Sequence, residues 1–215
     1  MKDYNQALKY EIFIKEEYAC AKTLIKSAKI IFDIGGHIGL FSEWCLKLNP
    51  QVEIHYFEPF EKLVQEAKAR LQASSSQIVF NPFWVAKIPW SYNFLFNPTK
   101  TMQSSQFPSF LNPAWTLASV RCENLNDYLQ NQKIWSIDLM KLDIEGMEFE
   151  VLFDLQEESW EKIQALVCEV HLFSPQQEAQ FPKLLSLLKV RFPSVERIPS
   201  PYSEKLWLCF CQKNP

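Results

Sequence analysis

Short apolar runs alternate along the chain with longer segments in which apolar residues recur every three or four positions. The short runs predict strands, and they are "KIIFDI" (residues 29–34), "VEIHYFE" (52–58), "QIVF" (77–80), "IDLMKLD" (137–143) and "ALVCEV" (165–170). The periodic segments predict helices at residues 38–48, 59–71, 125–129, 147–155 and 183–190. Continuously apolar strands that alternate with helices are typical of a parallel sheet covered on both faces.

Both ends of the chain and one internal segment depart from this alternation. Residues 4–27 are predicted to be helical, so that residues 1–28 form a helical segment ahead of one domain at residues 29–215. The chain is expected to close with a hairpin of "SVERI" and "KLWLCFC". Residues 82–115 form a long insertion rich in Pro, Ser and aromatic residues. Because ligand pockets are commonly lined by aromatic rings, part of it is predicted to be a lid over a ligand. The alternative is an extra hairpin packed on the sheet.

Three of the four glycines lie close together in "IFDIGGHIGLFSEW", residues 31–44. This turn joins the first predicted strand to the first helix, where backbone N–H groups face a crevice at the carboxyl end of the sheet. The candidate ligand-binding residues here are Asp33, Gly35, Gly36, His37 and Gly39. The pattern D-x-G-G-H-x-G differs from the dinucleotide fingerprint G-x-G-x-x-G, because His37 replaces the second glycine. A tight turn without a ligand is the alternative.

Glu58 ends the second predicted strand in "HYFEPF". In sheets of this kind, an acid at this place accepts hydrogen bonds from the ribose hydroxyls of a nucleoside ligand. The alternative is a helix N-cap before Pro59, and the two roles are compatible. The sequence therefore predicts that a nucleoside group lies between the glycine turn and Glu58.

Two further motifs place acids and a histidine at the ends of neighbouring strands. "LMKLDIEGMEFEVL" (residues 139–152) contains Asp143 and Glu145, and "CEVH" (168–171) contains Glu169 and His171, which point to the same side of a strand. These four are the candidate catalytic residues. His171 is the expected general base, because its unperturbed pKa is about 6.5, and Asp143 or Glu169 would orient it or bind the substrate. The alternatives are helix capping by the acids and a buried structural hydrogen bond for His171.

The same four residues raise the question of a metal. Two carboxylates and an imidazole are adequate ligands for a divalent cation. No specific metal-ligand spacing is present, however, and no metal is expected.

Composition and charge exclude several classes of protein. A net charge of -3, a pI near 5.7 and scattered lysines exclude the basic footprint of a nucleic-acid-binding protein. No uncharged apolar run approaches the roughly 20 residues that span a membrane, and the N-terminus lacks the apolar core of a signal peptide, so a cytoplasmic location is expected. The six cysteines form no C-x-x-C pair and are expected to be reduced core thiols. Nothing in the pattern indicates the oligomeric state.

The motifs "FDIGGHIGLFS", "YFEP", "LMKLDIEGMEFEVL" and "CEVH" resemble those of the FkbM-type methyltransferases, a branch of the class I S-adenosylmethionine (SAM) enzymes. The resemblance runs from about Lys29 to the C-terminus, with "NLNDYL" and the pair Ser104 and Ser105 as weaker matches. It implies a Rossmann-like α/β fold with a mostly parallel seven-stranded sheet, helices on both faces and an antiparallel C-terminal strand. It also implies SAM as methyl donor, and an oxygen of a sugar, polyketide or similar small metabolite as acceptor. The family often has Ala-Asn where this chain has Gly36-His37.

The resemblance also implies roles for single residues. Asp33 would orient the turn or approach the methionine end of SAM through water, while Gly35 and Gly39 would let the backbone meet the ligand. Glu58 would hold the ribose, and Asn81 at the end of the third strand would lie near the adenine. Two alternatives remain, a nicotinamide- or nucleotide-using enzyme on a related sheet and a non-catalytic methyltransferase-like binding module.

Overall fold

The computed structural model of the protein describes residues 4–89, 91–96, 116–200 and 203–214. The strands in these residues are β1 (Ile30–Ile34), β2 (Glu53–Phe57), β3 (Ile78–Asn81), β4 (Trp84–Val85), β5 (Ser91–Phe96), β6 (Thr116–Glu123), β7 (Leu139–Leu142), β8 (Ala165–His171), β9 (Ser194–Pro199) and β10 (Leu206–Gln212). Seven of them form the central sheet, in the order β3-β2-β1-β7-β8-β10-β9.

The strands β1, β7 and β8 occupy the middle of the central sheet, and nearly all of their residues are buried. Strands that are covered on both faces need apolar residues throughout, and the continuous apolar runs of the sequence supply them. β10 runs antiparallel to β8 and β9, whereas β1, β2, β3, β7 and β8 pair in parallel. The predicted fold class, with its C-terminal hairpin and antiparallel last strand, is confirmed.

Helices precede and connect the strands of the central sheet. They are α1 (Tyr4–Lys9), α2 (Lys22–Ile25), α3 (Leu40–Leu48), α4 (Glu61–Arg70), α5 (Leu125–Asn131), α6 (Glu148–Asp154), α7 (Glu157–Lys162) and α8 (Pro175–Arg191). Parallel strands are joined by right-handed crossovers, so the path outward through β2 and β3 puts α3 and α4 on one face, and the path from β7 to β8 puts α6 and α7 on the other. The strand order reverses between β1 and β7. Ligands of open α/β sheets bind beyond the carboxyl ends of the strands at such a reversal.

The N-terminal segment is helical in pieces rather than continuously. A π-helical turn at Tyr10–Ile14 follows α1, and a 3-10 turn at Ala19–Ala21 precedes α2. Glu16 lies between the two turns with a φ of 50°, a left-handed conformation that an α-helix cannot continue through. The helix predicted over residues 4–27 is therefore interrupted, and the division of the chain at residue 28 stays a prediction.

Three helices begin at other residues than the sequence pattern predicts. α3 begins at Leu40 instead of residue 38, because Gly39 has a left-handed backbone and caps the helix. α4 begins at Glu61 instead of Pro59. The Glu58 carboxylate accepts the N–H of Phe60, and this hydrogen bond keeps Pro59 and Phe60 outside the helix. α8 begins at Pro175 instead of residue 183. The structure also contains α7, which the pattern did not predict.

A capping box explains the earlier start of α8. Ser174 Oγ accepts the N–H of Gln177 at 3.2 Å, and Gln177 Oε1 accepts the N–H of Ser174 at 3.0 Å. Pro175 stands at the first helical position, which suits its fixed φ. Gln177 Nε2 also donates to the Gly146 carbonyl at 2.7 Å, so the start of α8 is tied to the segment that follows β7.

A second, three-stranded sheet has the order β4-β6-β5 and accounts for part of the aromatic insertion. β4 pairs in parallel with β6, and β5 pairs with it in antiparallel fashion. Trp84 of β4 is buried, and its Nε1 donates to Met147 Sδ at 2.8 Å. Trp90 and residues 97–115, which include Ser104 and Ser105, lie outside the described residues. The lid therefore stays a prediction.

The cysteines behave as the sequence predicts. All six are free thiols, and five of them are buried. Cys168 of β8 lies opposite Cys209 of β10 in the interior of the sheet. Within the described residues, no helix combines the length and the apolar character that a membrane crossing requires.

Replacing Ser174 with Ala removes the side-chain acceptor of the α8 capping box. The loss of such a hydroxyl typically costs about 1 kcal/mol, which lowers the Tm of a protein of this size by about 2–4 °C. Thermal unfolding followed by circular dichroism measures the change. Ser186→Ala is the matched control, because Ser186 is an exposed residue of the same helix, and a comparable loss in both variants would contradict the capping role.

Candidate active site

The glycine turn after β1 is held by the end of β2. The N–H groups of Gly35 and Gly36 both donate to the Phe57 carbonyl, at 3.1 and 2.9 Å. Gly35 has a φ of 78°, and a Cβ at this position would lie 1.8 Å from the Asp143 carbonyl oxygen. Only glycine fits there, and the turn lies directly against the segment that follows β7.

Tyr56 supports the same turn from the neighbouring strand. Its ring is fully buried, and a Cβ at Gly36 would lie 2.2 Å from Tyr56 Cε2. The Tyr56 hydroxyl donates to the His37 carbonyl. His37 and Gly39 both have left-handed backbone, with φ of 49° and 79°. The turn is therefore a succession of uncommon backbone conformations that Tyr56 helps to hold.

Glu58 braces the turn from the end of β2. It is buried, its Oε2 accepts the N–H of His37 at 3.1 Å, and its Oε1 accepts the N–H of Phe60 at 3.0 Å. Burial raises the pKa of Glu58 to about 7, although the two N–H donors and Lys141 act in the opposite direction. Each carboxylate oxygen has a second lone pair, so bracing the turn leaves room for a ribose hydroxyl. The contact with ribose stays a prediction.

Asn81 ends β3 beside Glu58. Its carbonyl accepts the Glu58 N–H at 3.2 Å, and its side-chain Nδ2 donates to the Val79 carbonyl at 3.1 Å. The Asn81 side chain also shares a hydrogen bond with Tyr128. The structure thus brings Asn81 to the same edge of the sheet as Glu58, and its contact with adenine stays a prediction.

Asp33 lies fully buried beneath the glycine turn. Its Oδ2 accepts the Ser42 hydroxyl at 2.6 Å, and its Oδ1 lies 3.5 Å from Lys141 Nζ. Because Ser42 belongs to α3, Asp33 ties the strand before the turn to the helix after it. An approach of Asp33 to a ligand through water stays a prediction.

Lys141 joins the glycine turn to the acids beyond β7, and sequence analysis did not single it out. Its buried Nζ donates to the Gly35 carbonyl at 2.8 Å and lies 3.2 Å from Asp143 Oδ2. Burial alone would lower the pKa of Lys141, but Asp143 and Asp33 raise it above its ordinary value. The ammonium is therefore charged at neutral pH. The two-residue period of a strand, which puts Lys141 on the side of Asp143, was the available signal.

Asp143, Glu145 and His171 converge beyond the ends of β7 and β8. One ligand atom of each lies within 4.8 Å of the others, and His171 Nε2 lies 3.8 Å from Glu145 Oε2. Glu169 shares a hydrogen bond with the Asp143 side chain. The four residues that the sequence predicted as one group, named here the acid–histidine cluster, are therefore neighbours. Their catalytic roles stay a prediction.

Glu148 is a residue of this site that sequence analysis missed. It is fully buried, and its Oε1 accepts the N–H groups of Ile144 at 3.1 Å and of Gly146 at 3.0 Å. The same oxygen lies 2.9 Å from His171 Nδ1. An acid in the first turn of a helix is ordinarily interpreted as a partner of the helix dipole. Only the fold shows that this one points inward and fixes the imidazole.

Crowding of charge shifts the pKa values of the cluster. Burial, assisted by Asp143, raises the pKa of Glu145 to about 8 and that of Glu169 well above its ordinary value. Burial alone would raise the pKa of Asp143, but Lys141 and His171 hold it below its usual range. Burial alone would lower the pKa of His171, but Glu148 raises it well above its ordinary value. The raised pKa of His171 favours the protonated imidazole, so its role as a base, which stays a prediction, requires loss of that proton.

The N-terminal segment contributes Glu17 to the surroundings of the cluster. Burial and the nearby Asp143 raise the pKa of Glu17 to about 7, and Lys141 acts in the opposite direction. The next residue, Tyr18, is buried and packs edge-on against Phe41 of α3, with ring centroids 4.9 Å apart. The chain between the π-helical and 3-10 turns therefore lies close to the acids, which no motif in the sequence indicated.

Comparison with known proteins identifies the family. The model of the Methyltransferase FkbM domain matches residues 33–192, which include the glycine turn, Glu58 and the acid–histidine cluster. The chain belongs to the FkbM methyltransferase family. The predicted family and the predicted methyltransferase activity are therefore confirmed.

Two curated relatives of this FkbM methyltransferase are distant in sequence. The chain is 25% identical over 195 residues to the 31-O-demethyl-FK506 methyltransferase FkbM of Streptomyces tacrolimicus, covering 77% of this chain and 74% of that protein. It is 27% identical over 188 residues to the methyltransferase sdnD of Sordaria araneosa, covering 74% of this chain and 72% of that protein.

A solved structure shares the fold of this FkbM methyltransferase. TrmK of M. capricolum, in complex with S-adenosylhomocysteine, matches with a TM-score of 0.51 and 14% identity, covering 91% of this chain and 66% of that one. At this level of identity the similarity concerns the fold alone.

Lys141→Met tests the connection between the two halves of the site in this FkbM methyltransferase. Removing the ammonium leaves Asp33 and Asp143 without their buried cation, and breaking a buried pair in this way costs about 3–5 kcal/mol. Urea unfolding followed by tryptophan fluorescence measures the loss. Lys189→Met, at an exposed position of α8, is the control and should change the free energy of unfolding by less than about 0.5 kcal/mol. Equal stabilities of the two variants would exclude the connecting role.

Proposed function

We propose that the protein transfers the methyl group of SAM to a hydroxyl oxygen of a small metabolite. The observation that carries the proposal is the continuity of the site at the reversal of strand order. The glycine turn, braced by Glu58, is joined through Lys141 to the acid–histidine cluster. A nucleoside bound against the turn would therefore have its reactive end beside Asp143.

The hydrogen bonds of the glycine turn favour SAM over a dinucleotide. The N–H groups of Gly35 and Gly36 already donate to the Phe57 carbonyl, so neither is directed at a pyrophosphate. Glu58, which closes the turn on the other side, would repel a phosphate when it is ionised. A thioether cofactor carries no phosphate and meets neither obstacle. TrmK, which has a similar fold, was solved with S-adenosylhomocysteine, and this supports the same choice.

Glu58 is proposed to bind both ribose hydroxyls of SAM. An ionised carboxylate accepts such bonds more strongly than a neutral group does, and burial of Glu58 beside a bound cofactor would exclude competing water. Asn81 lies next to Glu58 at the end of β3, and its backbone is proposed to border the adenine.

Methyl transfer needs one new bond and the departure of one proton. The acceptor oxygen attacks the methyl carbon, the carbon–sulfur bond breaks, and its electron pair stays on sulfur as neutral S-adenosylhomocysteine. The hydroxyl proton leaves to the acid–histidine cluster, where Asp143, Glu145, Glu169 and His171 surround the proposed acceptor position. Because the methyl group is already activated, alignment of the two reactants supplies most of the acceleration.

An oxygen acceptor is proposed for two reasons. Alcohol hydroxyls lose a proton on methylation and therefore need the basic side chains that this cluster supplies. The relative from Streptomyces tacrolimicus is named for a methylation at an oxygen, which supports the same class of acceptor. The proposed acceptors are hydroxylated small molecules such as sugars or polyketides. An intact cluster and a braced turn weigh against a binding module that has lost catalysis.

The pH dependence of cofactor binding tests the role of Glu58. Ribose hydroxyls donate to the ionised carboxylate of Glu58, whose pKa is about 7. Below that pH the carboxyl group must lose a proton before it can accept both hydroxyls. Affinity for S-adenosylhomocysteine should therefore increase as the pH rises from about 6 to 8. Lys141 and Asp33 also act on Glu58 from the neighbouring strands and stay in place in the variant. Glu58→Gln should bind roughly 10- to 100-fold more weakly, with a flatter pH dependence.

Isothermal titration calorimetry at several pH values measures both effects. Glu61→Gln is the control, because Glu61 is an exposed acid at the start of α4. A folded Glu58→Gln protein with wild-type affinity and wild-type pH dependence would exclude the ribose contact.

Turnover tests the acid–histidine cluster once an acceptor is found by screening sugars and hydroxylated metabolites. Asp143→Asn and His171→Ala should each lower kcat by about 100-fold or more, which is the usual effect of losing a positioned acid–base group. Affinity for S-adenosylhomocysteine should stay within a few-fold, because neither side chain braces the glycine turn. Near-wild-type kcat in both folded variants would exclude the acid–base role, and alignment of the reactants alone would then account for catalysis.

A further inference from the structure

Three potential metal ligands converge at the proposed reaction centre. One ligand atom each from Asp143, Glu145 and His171 lies within 4.8 Å of the others, and His171 Nε2 is 3.8 Å from Glu145 Oε2. Ligands bound at about 2.1 Å to one cation lie roughly 3 Å apart. Small side-chain rotations would therefore bring all three onto a single ion.

The imidazole of His171 has the orientation of a metal-binding histidine, with one ring nitrogen held by a carboxylate and the other directed at the cluster. Its side chain is 6% exposed, and Nδ1 is held 2.9 Å from the fully buried Glu148 carboxylate. The opposite nitrogen, Nε2, points toward Glu145 but lies beyond hydrogen-bond distance from it. A carboxylate on the outer nitrogen of a histidine fixes the ring, raises its basicity and is the usual arrangement behind metal-bound histidines. The contact between Glu148 and His171 is therefore an observation separate from the convergence of the three ligand atoms.

The backbone of the turn after β7 presents Glu145 to the same point. Glu145 has a φ of 54° and Gly146 a φ of 102°, and Glu148 fixes this turn by accepting the N–H groups of Ile144 and Gly146. Glu148 Oε1 thus positions both the loop of one ligand and the ring of another. Gln177 secures the other side of the turn through the Gly146 carbonyl.

The charges around the cluster leave a place for a cation. Carboxyl groups of Asp143, Glu145, Glu148, Glu169 and Glu17 act on one another electrostatically. Lys141 is engaged with Asp33, the Gly35 carbonyl and one oxygen of Asp143, and it is a single positive charge beside these five carboxyl groups.

We propose that Asp143, Glu145 and His171 bind a divalent cation of the Mn²⁺ or Zn²⁺ class, positioned by Glu148. Mixed carboxylate and imidazole ligands suit such ions, and three protein ligands leave coordination positions open. Sequence spacing did not predict this site, because its ligands come from β8 and from the irregular turn that follows β7.

The role of the cation in catalysis rests on the proposed function, whereas its binding does not. A hydroxyl coordinated to a divalent cation loses its proton more readily. The acceptor oxygen would then attack the methyl carbon as an alkoxide, while its proton passes to the acid–histidine cluster. As a ligand, His171 would coordinate the cation through Nε2 while Nδ1 stays hydrogen-bonded to Glu148.

Manganese titration followed by electron paramagnetic resonance tests the site on the full chain without SAM. The protein is first treated with a chelator and dialysed. We expect one Mn²⁺ per chain, displaced by Zn²⁺, with affinity reduced at least tenfold in Asp143→Asn, Glu145→Gln and His171→Gln. Glu148→Gln keeps an acceptor oxygen for the turn but loses its charge, and should bind Mn²⁺ about 10- to 100-fold more weakly. Glu158→Gln, at an exposed acid of α7, is the control and should match the wild-type protein.

Calorimetry with S-adenosylhomocysteine on the metal-free protein separates this inference from the proposed function. Each ligand variant should retain cofactor affinity within a few-fold, which also shows that it is folded. The metal site would be overturned if the wild-type protein did not bind one Mn²⁺. It would also be overturned if every ligand variant that binds S-adenosylhomocysteine had the same Mn²⁺ affinity as the wild type. Failure of the wild-type protein to bind S-adenosylhomocysteine would overturn the proposed function and leave the manganese result to stand by itself.

Discussion

The buried ammonium of Lys141 is the interaction on which the site depends. It reaches from β7 to the Gly35 carbonyl and lies between the carboxylates of Asp33 and Asp143. Burying a charge in this way is costly unless oxygen atoms surround it, and here one carbonyl and two carboxylates do so. The same contacts fix the distance between the glycine turn and the acid–histidine cluster. The glycine turn and the acid–histidine cluster, which follow different strands, are thereby joined into one unit.

Two buried glutamates hold the uncommon backbone conformations of this unit. Glu58 accepts the N–H of His37, and Glu148 accepts the N–H groups on either side of Glu145. His37 and Glu145 both have positive φ, which costs free energy in residues other than glycine. Carboxylates on rigid strands and helix ends offset that cost by satisfying the N–H groups that such turns leave unpaired. The turns are consequently ordered before any ligand arrives.

The sequence predicted the parts of this architecture that are local in the chain. The buried strands, the turn at Gly35 and the grouping of Asp143 with His171 follow from continuous apolar runs, glycine clustering and the two-residue period of strands. Lys141 and Glu148 escaped prediction because their roles depend on partners from other strands, which the pattern of one segment cannot reveal. The start of α8 was missed although Ser174 and Gln177 have the spacing of a capping box. Glu17 carries no motif and reaches the cluster only through the path of the folded N-terminal segment.

Gly36 and Tyr56 form a pair that has to change together. A methyl group added at Gly36 would lie 2.2 Å from the Tyr56 ring. Shrinking the ring first would open a cavity beneath the turn and remove the hydroxyl that holds the His37 carbonyl. Adding the methyl group first would force the ring out of place. Each single change is expected to be damaging, so the effects of substitutions at the glycine and the tyrosine should not be additive.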